Sequence, residues 1–118
     1  MKYTTKMIGL VAVDSGQLML CDPSYISGEK WDKDAYSPEN ADRNGMYSFN
    51  YNGACGATLS EERAGQLKFE NNYEGAGVAF SSGLGDGMYP VYATYVDDPD
   101  WGLRICKVEV VMIEMEEE

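Results

Sequence analysis

The chain has 118 residues, 44% of them apolar, enough for one domain with a modest core. Its formal net charge of −11 repels a phosphate backbone, so nucleic acid and anionic nucleotides are poor partners. It contains no histidine, which excludes Ser-His-Asp and Cys-His nucleophiles and every zinc site that uses an imidazole.

The first element in chain order is Tyr3–Val13, rich in β-branched residues and read as a strand. Asp14-Ser15-Gly16 follows as a turn, with aspartate bonding its own backbone and glycine taking a positive φ. Gln17–Cys21 then reads as the return strand of a hairpin, stopped at Asp22-Pro23 because proline lacks the ladder donor. Ser24–Gly45 is a polar excursion with a helical turn expected after Ser37-Pro38. In "MYSFNYNGACGATLS", Tyr47, Phe49 and Tyr51 alternate with polar residues, and Asn52-Gly53 is the dipeptide of a type I′ turn, so a second hairpin returning along Ala54–Leu59 is expected. A short helix or turn is expected within Ser60–Asn72, then a strand at Gly77–Ser82. "GLGDG" turns the chain into "YPVYATYV", which pairs through "DDPDWG" with a long final strand beginning at Leu103. In that strand Cys106, Val108, Val110 and Met112 share one face, with Lys107 and Glu109 on the other. Glu114–Glu118 is a solvated acidic tail. These elements predict an all-β fold: a single domain over residues 1–118, a sandwich or open barrel of antiparallel hairpins with at most one short helix.

The three cysteines, Cys21, Cys55 and Cys106, are an odd number without motif spacing and read as reduced, mostly buried thiols. Asp22 raises the pKa of its neighbour Cys21, so that thiol is not activated. The longest apolar run falls far short of the roughly 20 residues that span a bilayer, and the N-terminal stretch has no signal-peptide cleavage site, so a cytoplasmic protein that binds no membrane is expected.

The glycine-rich "GLGDG" lacks the lysine of a P-loop, carries an aspartate that opposes phosphate, and precedes a strand, so it reads as a turn. Hard cations take six to eight oxygen ligands. Turn aspartates supply the candidates: Asp14, Asp22 and Asp86, and the cluster Asp97, Asp98 and Asp100. Calcium is the ion such a set would hold, although no stretch has EF-hand spacing; otherwise no cofactor is expected. Of the two tryptophans, Trp101 is expected to fold back on the core, while Trp31 suits either a core or a contact surface.

Two stretches, "SGQLMLCDP" and "DGMYPV", resemble small uncharacterised bacterial and bacteriophage proteins that carry S-G-x-L-x-x-x-D-P and D-G-x-Y-P-V segments. The resemblance implies no catalytic residue. It does imply that Asp14, Gly16, Asp22, Pro23, Asp86, Gly87, Tyr89 and Pro90 form one corner. The expected role is protein interaction or structure rather than catalysis, through a protein partner or self-association. Alternatives are a divalent-cation module on the turn aspartates, an acidic decoy occupying a partner's nucleic-acid site, and a hydrolase built on a carboxylate pair.

Overall fold

The structure is a computed structural model describing residues 1–26, 31 and 46–116. Among these residues lie seven strands, one α-helix and a 3₁₀ turn at Pro23–Tyr25. The strands are β1 (Lys2–Val13), β2 (Gln17–Leu20), β3 (Met46–Ser48), β4 (Ala64–Lys68), β5 (Glu74–Ser81), β6 (Gly87–Asp98) and β7 (Gly102–Val110), and the helix is α1 (Tyr51–Thr58). The all-β class therefore holds, with one short helix, and neither of the two sheets closes on itself.

The chain divides into two compact units: Met1–Gly16 with Gly83–Glu118, and Gln17–Ser82. The first is a three-stranded antiparallel sheet in the order β1-β6-β7. β1 and β6 are each 12 residues long and pair from Lys2↔Asp97 to Val13↔Gly87, with a bulge at Ile8. The β6–β7 hairpin forms as expected, but a second bulge at Cys106 sets Thr94 opposite Lys107 and Tyr95 opposite Ile105. The bulge takes Cys106 out of the alternation; the residue is exposed rather than buried, and its thiol donates to the Thr94 carbonyl (3.2 Å). β7 is an edge strand that ends at Val110, opposite Val91 of β6. Buried apolar residues of this unit are Val13, Tyr89 and Ala93. The Tyr89 hydroxyl donates to the Gly85 carbonyl (2.7 Å), tying the glycine-rich turn to the strand it feeds.

The second unit is a four-stranded mixed sheet in the order β2-β5-β4-β3. Gly16 takes a φ of +69° as its turn requires, but β2 does not return along β1. It pairs with β5, Gln17 opposite Ser81 and Leu20 opposite Val78, because Met19 belongs to this unit's core. The core is Ala54 and Ala57 of α1 against Leu67 and Ala79, with Met19, Trp31, Tyr47 and Phe49 packed on it. Trp31 meets Phe49 edge-on with ring centroids 5.2 Å apart.

The hairpin expected at Asn52-Gly53 is instead the start of α1. A type I′ turn needs positive φ at both central residues, and neither has it. Asn50 is the N-cap: its Oδ1 accepts the Gly53 N–H at 2.7 Å. A Cβ on Gly53 would lie 1.8 Å from the Ser48 carbonyl oxygen, so only glycine lets the helix start so close to β3. The β3-α1-β4 connection consequently brings β3 parallel to β4, the exception in a fold otherwise made of antiparallel pairs. The segment after Ser60 is a turn that enters β4, with Arg63 at a φ of +62°, and β5 begins at Glu74, three residues earlier than expected. The helical turn expected after Pro38, and most of the Ser24–Gly45 excursion, lie outside the described residues.

Candidate interaction surface

The turn aspartates fall into separate places. Asp14 follows the Val13↔Gly87 pair, so it shares one end of the first sheet with Asp86. Asp97 pairs with Lys2 at the opposite end, with Asp98 beside it at the end of β6 and Asp100 in the adjoining turn. Ten or so strand residues at about 3.3 Å each, roughly 33 Å, separate the two groups. The Asp98 Oδ1 accepts the N–H groups of Asp100 (2.7 Å) and Trp101 (2.9 Å), the hydrogen-bonding of an Asx turn. Asp22 belongs to the second unit. Its Oδ1 accepts the Ser24 N–H at 2.9 Å, and that bond holds its carboxyl below the usual carboxylate range. Among the described residues no three histidine, cysteine, aspartate or glutamate side chains gather where a metal ion would be held.

Of the expected corner, the structure brings together Asp14, Gly16, Asp86, Gly87, Tyr89 and Pro90. β6 passes Gly87, Tyr89 and Pro90 opposite Val13, Val11 and Leu10, just before the Asp14 turn. Asp22 and Pro23 lie in the other unit. The thiols are free and dissimilar. Burial and then Asp22 push the Cys21 thiol up. Cys55 lies on the buried side of α1, where the Gln17 amide donates to its Sγ (3.4 Å) and the Thr58 hydroxyl donates to Gln17 Oε1 (2.9 Å). That closed network satisfies the polar groups at the buried side of the helix and keeps the Cys55 thiol out of solvent.

Trp101 does not fold onto a core. It sits 70% exposed at the tip of the β6–β7 turn, with the Arg104 guanidinium 5.9 Å from its ring centre. The turn is held by Asp98, so the side chain after it projects outward rather than back over the sheet.

The surface that the sequence reading passes over is the β1-β6-β7 sheet. Paired residues share a face, and the register defines both. One face carries Tyr3, Thr5, Met7, Leu10 and Ala12 of β1 and Met88, Pro90, Tyr92, Thr94 and Val96 of β6. Thr5 and Thr94 hydrogen-bond across it through their hydroxyls (2.7 Å). Along β7 the same face carries Arg104, Lys107 and Glu109, the last two as an ion pair at 3.3 Å. The other face carries Leu103, Ile105 and Val108 on β7, and Lys6 over the Tyr95 ring on β1 and β6. Tyr3, Met7, Leu10, Met88, Leu103, Ile105 and Val108 are each more than half exposed. The signal in the sequence was the unbroken Met7-Ile8-Gly9-Leu10 run, which a one-sided strand with strict alternation would not contain.

No curated protein and no solved structure matches the chain. A family model described as Protein of unknown function (DUF4241) matches residues 8–103, from the β1 bulge to the start of β7 and so through both units. With four-fifths of its length inside that match, the chain belongs to the DUF4241 family, whose function is unknown.

Proposed function

We propose that the protein acts by binding another protein through its three-stranded sheet rather than by catalysis, as a bacterial or bacteriophage component of the cytoplasm. The observation that carries this reading is the row of exposed apolar side chains across β1, β6 and β7. Antiparallel sheets ordinarily keep one face packed and the other polar. Here large apolar residues stay open on both faces, the pattern of a surface that is completed by association. The three free cysteines fit a reducing compartment, and the sequence resemblance supports the bacterial or phage source.

The test is photo-cross-linking in cells that express the chain. A benzophenone amino acid replaces Tyr3 in one variant and Leu59, exposed at the end of α1, in another. Protein adducts are expected from position 3 and not from position 59. No adduct from position 3 sinks the reading.

A further inference from the structure

We propose that the occupant of the Tyr3–Met7–Leu10–Met88 face is the same face of a second copy of this chain, stacked about a two-fold axis. The proposal rests on the protein-binding reading above and names the partner.

Composition singles out this face. From Tyr3 to Ala12 on β1 and from Met88 to Val96 on β6, every residue directed to it is apolar or threonine, without a charge. The opposite face carries Lys6 among its residues, and its Val13, Tyr89 and Ala93 are already buried. The chosen face thus has an uncharged centre, apolar but for the mutually hydrogen-bonded Thr5–Thr94 pair, and β7 forms a polar rim along one side, the anatomy of a specific protein interface.

Charge then selects the partner. The chain as a whole carries −11, but this rim holds both signs, Arg104 and Lys107 beside Glu109. A strongly acidic or strongly basic partner finds only half of that rim complementary. A second copy brings the same mixture, and a two-fold axis sets the cations of one rim against the carboxylate of the other. Size agrees. Twelve residues of strand at about 3.3 Å and three strands about 4.8 Å apart give a face of roughly 40 by 14 Å. Side-chain relief raises that projection of roughly 550 Å² toward the about 800 Å² that each partner contributes to a stable complex.

The experiment is sedimentation equilibrium of the full chain from about 1 to 100 μM, the range that reads a dissociation constant near 1 μM. The expected mass at high concentration is twice the 13.1 kDa of the chain. Met7→Glu and Met88→Glu, on neighbouring strands, are each expected to weaken the dimer at least tenfold. Ile105→Glu, on the opposite face, is expected to leave it intact. Far-UV circular dichroism and a thermal melt accompany each variant, and either face variant that folds decides the matter. A wild-type monomer across the whole range overturns the proposal. So does a dimer that survives both face substitutions or is lost only in Ile105→Glu. A monomer that still gives cross-linked adducts from position 3 leaves the protein-binding reading standing and replaces the second copy by a different protein.

Discussion

At Gly53 one hydrogen atom decides the path of the backbone. The position where a Cβ would sit is 1.8 Å from the Ser48 carbonyl oxygen, and backbone cannot swing aside as a side chain can. Gly53→Ala is therefore expected to cost about 3 kcal/mol, the upper range for overpacking. Asn50→Ala, which removes only the cap to the Gly53 N–H, is expected to cost about 1 kcal/mol. Urea unfolding of the two variants checks the order, and equal losses would mean that the close approach is not the constraint. Thiol chemistry sorts the cysteines in the same local terms. With Ellman's reagent at neutral pH, Cys106 is expected to react first because it is exposed. Cys21 follows, since burial and Asp22 keep more of it as the unreactive thiol. Cys55, buried on the inner side of α1, waits for unfolding. Single cysteine-to-serine variants assign each phase, and a fast Cys21 phase would contradict the order.

Among the elements, α1 and β4 enclose the second unit's core, and Leu67 is its largest fully buried apolar side chain. Leu67→Ala is expected to lower stability by about 3 kcal/mol, within the range for leucine truncation in a core, and a loss below about 1 kcal/mol would mean that the helix collapses into the gap. The elements legible in the sequence were those whose signals are local. The β6–β7 hairpin was marked by Asp98 and Gly102 at its turn, and β1 by its β-branched run. α1 was missed because Asn-Gly marks a type I′ turn while Asn two residues earlier marks a helix cap, and both signals were present. The packing of Gly53 against Ser48 settled between them, and that contact is tertiary. β2 was recognised as a strand but given the wrong neighbour, since nothing local distinguishes pairing with β1 from pairing with β5. The bulge at Cys106 likewise left no local mark, and the Met7–Leu10 run marked a break in alternation at β1 without saying which face each residue takes.

For the whole molecule, the aspartates that looked like one resource are distributed. Asp14 and Asp86 occupy one sheet end, Asp97, Asp98 and Asp100 the other, and Asp22 the second unit. Melting in millimolar calcium is accordingly expected to match melting in EDTA within about 1 °C. A ligand at 100 times its dissociation constant adds about 2.7 kcal/mol, several degrees for a chain of this size, so a shift of that order would restore a cation site.

The way one unit interrupts the other bears on how the chain comes to be folded as it is made. Gln17–Ser82 is a continuous stretch, and its pairings are complete once Ser81 has been synthesised. β1, made first, has no partner until β6 arrives some 75 residues later, and until then its apolar residues and backbone groups have no sheet to join. Because Gln17 and Ser81 pair directly, closure of the inserted unit draws the end of β1 to the start of β6. A long loop closure thus becomes a short one, and its entropy is met before β1 and β6 meet. Substitutions that weaken α1 or β4 should on this account slow the pairing of β1 with β6, strands they never touch, and leave the newborn Met7–Leu10 segment open to aggregation for longer.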